Sequence, residues 1–357
     1  MTATYPSVAI IVLNWNKWEI TIECLESILQ NDYPCYEIVL VDNGSKNDSV
    51  EKIMSYCQGE LEVRSPFFRY DQRSKPLPFR SVLVGLDGEF TARSDDGYSA
   101  AAGPRMSLLR VEENQGFAGG NNLGIEFVAR EVHPEYVLFM NNDVVVAPGF
   151  LSALVKDIRS SEKIAISAPK ILYYDYNGAS NIINCAGCFL DIRRVKSIRR
   201  GRGEPDRGQY DEGGEVDFAD GACFLMKMSV LEVTGGFDRS FYTYWEETDL
   251  CTRIMALGYK CSYVPGSMVW HHESYSIIAA SKEYYMVRNR YLFIRKNGSR
   301  WDSHRFMAYH LLVLFIPTIL IHLHHQETER IGPFLRGTAD GVKAVLITED
   351  RGVHPGP

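Results

Sequence analysis

One stretch near the middle of the chain, Tyr136 to Val146, constrains the fold more than any other. Val137 to Met140 form a short apolar run, typical of a strand buried on both faces of a sheet, and three polar residues ending in Asp143 follow it directly. In open α/β sheets, ligands bind beyond the carboxyl ends of the strands. A carboxylate flanked by amides there suits a hard divalent cation that also holds substrate phosphates. The alternative is a simple turn before Pro148, because Asn and Asp favour turns.

The N-terminal part of the chain predicts a strand, a helix and a second strand. Val8 to Leu13 is rich in β-branched residues, Glu19 to Gln30 has apolar residues near helical spacing, and Tyr36 to Val41 is another apolar run. Such a βαβ unit has parallel strands. Asp42 therefore follows its strand at the same edge as the tip described above, where it can accept hydrogen bonds from a base or ribose. The alternative is a turn, or an N-cap for the helix that begins near Asp48.

Charge and cysteine content narrow the class of protein. The chain has 357 residues and a net charge of −7, which gives no electrostatic case for nucleic acid as a partner. No secretory signal is visible at the N-terminus, and the eight cysteines lie mostly in apolar or helical segments, so we expect a cytoplasmic protein with reduced thiols. Cys185 and Cys188 form a CxxC pair, but without a second pair or a nearby histidine a zinc or redox role is not favoured.

Residues 65–105 break the alternation of strands and helices. They combine prolines and arginines with a run of aspartate and glycine, and only Ser81 to Leu86 resembles a strand. We interpret this segment as an insertion, part hairpin and part mobile loop, that lies over the nucleotide edge or away from it.

A glycine-rich segment, Asn114 to Gly124, follows the predicted strand Leu108 to Val111. Its glycines would let the backbone approach a ligand closely, and a helix predicted from about Asn121 would offer free N–H groups to an anion. The segment is neither a GxGxxG fingerprint nor a P-loop. On its own it indicates either an anion-binding turn or simply a turn before a helix.

In combination, these motifs resemble those of family-2 glycosyltransferases with the GT-A fold, most of all the rhamnosyltransferase type. The segments that carry the resemblance follow the family's order and reach about residue 300: Val8–Asn16, Val41–Ser45, Asn114–Gly124, Met140–Asp143, Asp217–Leu225, Gly235–Asp238, Tyr244–Leu250 with Arg253, and Gly258–Tyr259. The resemblance implies a Rossmann-like α/β fold of the nucleotide-diphospho-sugar transferase kind, with a mixed, mainly parallel sheet flanked by helices. It implies a GT-A domain over residues 1–300, including the 65–105 insertion, and a C-terminal helical appendage over residues 301–357.

The same resemblance implies a nucleoside diphosphate sugar, linked to UDP, dTDP or GDP, as the donor. Leu13 and Asn14 would line the base, and Asp42 would hold the base or the ribose. The other candidates for donor binding are Asn114, Gly116, Phe117, Ala118, Gly119, Asn121, Asn122, Asn142 and Arg288. Arg288 would clamp a phosphate of the donor or of a lipid carrier, and its alternative role is a surface salt bridge.

A divalent metal, Mg or Mn, is also implied, with Asp143 and His271 as its ligands. Asn141-Asn142-Asp143 stands where relatives carry a DxD-like element, and His271 is the first of two adjacent histidines. A carboxylate, an imidazole and two diphosphate oxygens would suit an octahedral ion, with water in the remaining positions. His272 would point elsewhere if this segment is extended.

Sugar transfer further needs a base that deprotonates the acceptor hydroxyl. Glu246, Glu247 and Asp249 stand ahead of a predicted amphipathic helix, and the family usually has Glu-Asp in the first two places, with the aspartate as base. Glu247 occupies that place with a side chain one methylene longer, and Glu246 and Asp249 are the other candidates. The alternative is an acidic first turn that complements a helix dipole.

The segment Phe306 to Leu323 is strongly apolar, but its uninterrupted core is short for a membrane span and contains Pro317. We expect a helix that lies on the membrane surface or forms a homodimer contact, and a buried packing helix is the alternative. A cytoplasmic protein placed peripherally on the inner face of the membrane would fit the first of these.

The predicted function is metal-dependent, inverting transfer of a sugar to a glycan or lipid-linked acceptor in cell-surface polysaccharide or glycoconjugate synthesis. A nucleotidyltransferase would share the nucleotide-binding sheet, but the chain lacks the glycine-rich Arg/Lys loop expected after its first strand. A protein of the same fold that binds nucleotide sugar or glycan without turnover is the second alternative.

Overall fold

The chain builds a large mixed sheet with helices on both faces, and the structure, a computed structural model, describes residues 5–85, 87–99, 103–273 and 279–347. Within these ranges the strands are β1 (Val8–Asn14), β2 (Tyr36–Asn43), β3 (Phe79–Val84), β4 (Phe90–Asp96), β5 (Met106–Val111), β6 (Tyr136–Asn141), β7 (Val144–Val146), β8 (Ile164–Tyr173), β9 (Ile183–Cys185), β10 (Cys188–Asp191), β11 (Lys196–Arg199), β12 (Gly214–Val216), β13 (Cys223–Lys227) and β14 (Lys260–His271). The helices are α1 (Trp18–Leu29), α2 (Ser49–Gln58), α3 (Gly116–Phe127), α4 (Phe150–Ile158), α5 (Met228–Thr234), α6 (Glu246–Ala256), α7 (Ala279–Asn297), α8 (Arg300–Tyr309), α9 (Phe315–His324) and α10 (Thr328–Leu346).

The strand order confirms the predicted fold class. It runs β12-β14-β8-β13-β6-β1-β2-β5-β3-β4, with β7 paired to β14 and β9 to β8. Strands β6, β1, β2, β5 and β3 are mutually parallel, whereas β13 is antiparallel to both of its neighbours. The result is a mixed, mainly parallel sheet flanked by helices, followed by a C-terminal helical region.

The three central strands end in register. Asn14 of β1 stands opposite Asp42 of β2, and Leu13 stands opposite Asn141 of β6. These strands are almost fully buried, since the apolar residues of β1 and β6 pack against helices on both faces of the sheet. Their polar ends therefore form one row at the carboxyl edge, as the sequence predicts.

The antiparallel half of the sheet brings later parts of the chain to the same edge. Because β13 runs against β6, with Cys223 opposite Met140, the residues just before β13 lie beside the end of β6. Strand β14 runs parallel to β8 and ends at His271, where it pairs with β7 so that His271 stands opposite Val144. Asp143 and His271, 128 positions apart in the chain, thus become neighbours through sheet topology.

The helix after the glycine-rich segment begins at Gly116, not near Asn121 as predicted. A Cβ at position 120 would lie 2.5 Å from Leu13 Cδ1, and one at position 124 would lie 2.8 Å from Ile11 Cγ2. Gly120 and Gly124 therefore let α3 pack directly on β1.

The 65–105 insertion contributes a hairpin that widens the sheet. Strand β3 pairs in parallel with β5, and β4 pairs with β3 in antiparallel direction at the outer edge. The predicted strand Ser81–Leu86 is thus observed as Phe79–Val84, while Leu86 itself and residues 100–102 lie outside the described residues. The hairpin extends the sheet away from the central strand ends.

A second, smaller apolar core lies beside the main one. Helices α7, α8 and α10 contribute Tyr291, Phe306 and Phe334 to it, and the loop before α6 contributes Phe241 and Trp245. Because α7 packs along α10, the C-terminal helices form a layer that starts before residue 300. The domain boundary near residue 300 stays a prediction.

Candidate active site

A closed hydrogen-bond network joins the ends of β1 and β2. The Asn14 amide donates to Asp42 Oδ1 at 2.7 Å, and the Ser45 hydroxyl donates to the same oxygen at 2.6 Å. The Ser45 N–H donates to Asp42 Oδ2 at 3.2 Å. Burial raises the pKa of Asp42, and these hydrogen bonds oppose that rise. Asp42 thus holds the turn that the sequence offered as its alternative role, at the carboxyl edge of the sheet.

The network continues to β6 through Thr21. The Thr21 hydroxyl donates to Asn14 Oδ1 at 2.8 Å, and the Asn142 amide donates to Thr21 Oγ1 at 2.8 Å. We call Asn14, Thr21, Asp42, Ser45 and Asn142 the nucleoside cluster. All five lie at the carboxyl edge of the sheet or next to it, and hydrogen bonds to one another fix their side chains.

The glycine-rich segment closes onto the end of β2. The Asn43 amide donates to Asn114 Oδ1 at 3.1 Å and to the Gly116 carbonyl at 3.0 Å, and the Gly116 N–H donates back to Asn114 Oδ1 at 2.8 Å. Gly116 has a φ of +70°, and a Cβ there would lie 2.5 Å from the Tyr242 ring. Glycine is thus required at this position by both backbone and space.

The other predicted donor-binding residues of α3 mainly contact protein. The Asn122 amide donates to the Phe237 carbonyl at 2.7 Å, and its oxygen accepts from the Phe237 N–H at 2.9 Å. Asn121 donates to the Phe117 carbonyl at 3.0 Å, and the Ala118 N–H donates to the Tyr242 carbonyl at 3.1 Å. These contacts anchor α3, and a direct role of these residues in donor binding stays a prediction, as it does for Gly119.

Asp143 and His271 form a buried pair. His271 Nε2 lies 3.1 Å from Asp143 Oδ1, and the side chains are only 9% and 2% exposed. Burial lowers the pKa of His271, but the Asp143 carboxylate outweighs this effect, so the pKa stands above its ordinary value. His271 Nδ1 has no hydrogen-bond partner among the residues that the structure describes.

The pair fits a divalent cation. Two neighbouring ligands of an octahedral ion, each at about 2.1 Å, stand about 3 Å apart, close to the contact of this pair. A carboxylate together with an imidazole suits Mn²⁺. Mg²⁺ suits the imidazole less well, because it prefers oxygen ligands. These two residues would therefore supply one carboxylate oxygen and one ring nitrogen, and leave the remaining positions to substrate and water.

His272 points away from its neighbour, as an extended segment predicts. Its ring stacks on Tyr174 with centroids 3.5 Å apart, and His272 Nε2 lies 3.6 Å from Glu23 Oε2. The residues that follow Glu273, from Ser274 to Ser276, lie outside the described residues.

Two acidic side chains begin α6 with little to neutralise them. Burial, and then the negative charge of Asp220, raise the pKa of Glu247 to about 7. Burial and the neighbouring Glu247 raise the pKa of Glu246 well above its ordinary value, and Glu246 Oε2 has no hydrogen-bond partner within the described part of the chain. A carboxylate with a pKa near 7 is suited to take up a proton at neutral pH.

Asp249, the third predicted catalytic candidate, is instead bound on all sides. It accepts from Arg253 Nε at 2.9 Å, from Lys296 Nζ at 2.8 Å and from the Asn297 amide at 2.9 Å. The side chain is fully buried, and it ties α6 to α7. This arrangement is a structural ion pair in which donors contact both oxygens of the Asp249 carboxylate, and a catalytic role for Asp249 stays a prediction.

Asp220 lies in the Asp217–Leu225 segment, and the sequence alone assigned it no role. In the structure it forms an ion pair next to the predicted base. Asp220 Oδ2 lies 2.7 Å from Arg199 Nε, and Arg199 Nη1 lies 3.1 Å from Glu273 Oε1. The charge of Asp220 raises the pKa of both Glu247 and His271, so Asp220 lies near the predicted base and near one predicted metal ligand. We call Asp220, Glu246 and Glu247 the acid cluster.

Arg288 and Asn289 hold the loop that leads into α6. The Arg288 guanidinium donates to the Ser240 and Phe241 carbonyls at 2.6 and 3.0 Å, and its role as a phosphate clamp stays a prediction. The Asn289 amide donates to three carbonyls within 3.0 Å, those of Phe241, Thr243 and Tyr244. Asn289 is the residue that sequence reasoning missed here.

This loop contains unusual backbone geometry. Tyr242, Tyr244 and Trp245 have φ values of +65°, +66° and +76°, a region that bulky residues rarely adopt. Such strain persists only where surrounding contacts fix it. The contacts from Asn289 therefore position the start of α6, and with it Glu246 and Glu247.

The CxxC pair lies behind this cluster. Cys185 and Cys188 Sγ are 3.0 Å apart, and both thiols are within 4.8 Å of an Asp220 carboxylate oxygen. All eight cysteines are free thiols, in agreement with the predicted reduced state. Since Arg199 already neutralises Asp220, this group is a poor cation site.

Comparisons with known proteins agree with this architecture. A family model described as glycosyl transferase family 2 matches residues 9–77 and 72–235. The match includes the nucleoside cluster, the glycine-rich segment, Asp143 and Asp220. It ends before Glu247 and His271.

Curated relatives and a solved structure give the same picture. The chain is 30% identical over 249 residues to N-acetylglucosaminyl-diphospho-decaprenol L-rhamnosyltransferase of Mycobacterium tuberculosis, a match that covers 62% of this chain and 76% of the relative. It is 26% identical over 243 residues to low-salt glycan biosynthesis hexosyltransferase Agl10 of Haloferax volcanii, covering 64% and 73%. The fold is similar to that of mannosyltransferase PcManGT from Pyrobaculum calidifontis in complex with GDP-Man and Mn²⁺, with a TM-score of 0.53, 14% identity, and 95% and 88% of the two chains covered.

Proposed function

The chain belongs to glycosyl transferase family 2, on its rhamnosyltransferase-like branch, and we propose that it transfers a sugar from a nucleoside diphosphate sugar to a hydroxyl group of a lipid-linked glycan. The coarser statement, that it is a glycosyltransferase, follows from the family and its named relatives. The lipid-linked acceptor is supported by the decaprenol carrier in the name of the mycobacterial relative.

The observation that carries the proposed reaction is the state of Glu247. Its carboxylate is partly buried at the start of α6, its pKa is about 7, and its own hydrogen bond, from the Thr248 hydroxyl, is weak at 3.4 Å. A base of this kind can hold the acceptor's proton and still be half ionised at neutral pH. A binding protein without turnover has no need for such a group.

In the proposed mechanism, the acceptor hydroxyl oxygen forms a bond to the anomeric carbon while the bond to the diphosphate breaks on the opposite face. The acceptor's proton passes to Glu247, and the configuration of the sugar is inverted. A divalent cation held by Asp143 and His271 would supply positive charge to the departing diphosphate. The nucleoside cluster would hold the other end of the donor through Asp42 and Asn14.

The test is a screen of UDP-, dTDP- and GDP-linked sugars for saturable thermal stabilisation of the purified chain, with Mn²⁺, with Mg²⁺ and with chelator. A stabilising donor is then incubated with a polyprenyl-diphosphate-linked sugar, and the product is identified by mass. We expect one base to stabilise the protein with a cation only, and a product heavier by one sugar residue.

Asp143→Asn is the decisive variant for the metal site. We expect it to lose the cation-dependent stabilisation, whereas Glu162→Gln, an exposed carboxylate at the opposite edge of the sheet, should behave as wild type. Full transfer by Asp143→Asn in chelator would refute the metal site. Donor binding without any product across acceptors would favour the non-catalytic alternative.

A further inference from the structure

The C-terminal helices expose an apolar surface that the proposed reaction does not use. A π-helical turn at His310–Leu314 joins α8 and α9, so that Arg300–His324 form a continuous 25-residue helix. This helix is long and apolar enough to cross a membrane, and only 17% of its most apolar window is buried. We define the apolar ridge by the exposed side chains on this helix: Leu311, Leu312, Val313, Ile316, Leu320, Ile321 and Leu323. Leu312 is 84% exposed, and Ile316 and Leu320 are each 58% exposed.

The opposite face of this helix is fastened to the folded domain at both ends. Near its start, the Phe306 ring packs against Tyr291 of α7 with centroids 4.9 Å apart. In the middle, His310 Nε2 lies 3.3 Å from the Thr338 hydroxyl of α10. Near its end, His322 Nε2 lies 3.6 Å from Glu283 of α7. The helix therefore lies along the protein. If it crossed a bilayer, these contacts would have to break, or α7 and α10 would have to enter the lipid.

The helix segment that carries the apolar ridge has no charged residues, which is unusual for a surface exposed to water. Residues 306–326 contain no Asp, Glu, Lys or Arg. At about 1.5 Å per residue, this uncharged stretch is about 30 Å long. Just before it, Trp301 is 85% exposed, and indole rings prefer the boundary between lipid headgroups and acyl chains.

The charge of the C-terminal layer is opposite to that of the whole chain. Residues 279–347 contain ten Lys or Arg and five Asp or Glu, whereas the chain as a whole contains 38 and 45. Positive charge beside an exposed apolar helix is what an anionic lipid surface attracts. An interface between two copies of a soluble chain would instead surround its apolar centre with a polar rim, whereas the exposed polar side chains of this stretch, His324, His325 and Gln326, all lie at its C-terminal end.

We propose that the apolar ridge inserts into one leaflet of an anionic membrane, with the helix parallel to the surface. Leu312, Ile316 and Leu320 would enter the acyl region, and Trp301 would lie at the headgroup level. This assignment is independent of which sugar is transferred. For the proposed function it means that a lipid-linked acceptor is met at the surface where it resides.

The test is co-flotation of the full chain with vesicles of phosphatidylcholine alone and of phosphatidylcholine with 30% phosphatidylglycerol. We expect binding to the anionic vesicles that weakens in high salt. The double variant Leu312→Glu/Ile316→Glu should lower the partition coefficient at least tenfold, because two carboxylates would have to enter the acyl region. Both side chains are exposed, so the variant should retain the wild-type melting temperature.

Val233→Glu is the matched control, since Val233 is an apolar side chain 74% exposed on α5. It should partition as wild type. Tryptophan fluorescence with brominated lipids gives an independent measurement, with quenching that is reduced in Trp301→Phe. The proposal would be overturned if the double variant floated with vesicles as the wild type does. It would also be overturned by a wild-type chain that binds neither kind of vesicle and is dimeric through this ridge in solution. Donor stabilisation is measured separately, so its failure would count against the proposed function alone.

Discussion

The two polar groups at the carboxyl edge of the sheet differ in how their charges are satisfied. In the nucleoside cluster, the Asp42 carboxylate accepts three hydrogen bonds from Asn14 and Ser45. In the acid cluster, burial raises the pKa of both Glu246 and Glu247, and the negative charge of Glu247 on Glu246 and of Asp220 on Glu247 adds to this rise. Both groups are buried, so burial alone does not decide their behaviour.

This difference separates a carboxylate that is positioned for binding from carboxylates that can take up a proton. A buried carboxylate with several hydrogen-bond donors is held in one orientation, which suits a residue that must recognise a base or ribose. A buried carboxylate next to other acids binds a proton more readily, which suits a residue that must accept one. We therefore expect substitutions in the first group to alter binding and stability, and substitutions in the second to alter turnover.

The largest expected effect is on turnover in Glu247→Gln. Without a proton acceptor, kcat should fall by about 10² to 10⁴, whereas the donor concentration for half-maximal stabilisation should stay unchanged. Initial rates and thermal shifts with the same donor measure the two quantities. Wild-type turnover of Glu247→Gln, together with inactive Glu246→Gln, would show that the neighbouring residue is the base.

Asp42→Asn should break the nucleoside cluster. The new amide cannot accept all three hydrogen bonds, so we expect the free energy of unfolding to fall by about 1–3 kcal/mol and donor binding to weaken by about tenfold to a hundredfold. Urea denaturation and donor titration measure these changes. An Asp42→Asn protein with unchanged stability and donor affinity but lowered kcat would reverse the comparison.

The pH dependence of the wild type sharpens the role of the acid cluster. Because the pKa of Glu247 is about 7, kcat/KM should fall about tenfold per pH unit below that value. Rates between pH 5.5 and 8.5 at saturating Mn²⁺ provide the measurement, and Asp42→Asn should keep the same inflection. A flat profile through pH 6 would exclude Glu247 as the group that takes the proton.

The smallest expected effect is a gain in stability. The pKa of Glu247 is raised from 4.5 to about 7 in the folded state, so the folded protein binds the extra proton and loses stability as pH rises through this interval. In chelator at pH 8, Glu247→Gln should therefore be more stable than wild type by about 1–2 kcal/mol, and at pH 4.5 the difference should vanish. Denaturant titrations at both pH values measure it. A larger gain at low pH would contradict the sign.

The sequence predicted the parts of the site that depend on strand ends. Val8 to Leu13 and Tyr36 to Val41 are apolar runs followed by polar residues, and parallel pairing necessarily brings such ends to one edge. Asp143 and His271 came together for the same reason, once the resemblance had supplied the pairing partner. Short strands with abrupt polar ends are local signals, which a single sequence displays.

Contacts between distant loops could not be predicted in this way. Arg288 has the charge of a phosphate ligand. Only the fold shows that its guanidinium donates hydrogen bonds to backbone carbonyls of the 239–245 loop. Asn289 and the left-handed Tyr242 carry no local signal, because their geometry depends on α7 meeting that loop. The sequence could not show that glycines of α3 pack on β1, because close packing on a strand and close approach to a ligand select the same residue.

Tyr242 has a consequence for attempts to exchange parts of this protein with its relatives. Its carbonyl receives the Ala118 N–H, its hydroxyl donates to Asn114 at 3.4 Å, and its ring stacks on Tyr285 of α7 with centroids 5.1 Å apart. One residue thus joins the glycine-rich segment to the helical layer. A chimera in which a foreign C-terminal module replaces residues from 279 onward would lose the contact between Tyr242 and Tyr285. The exchanged part therefore has to include residues 239–245.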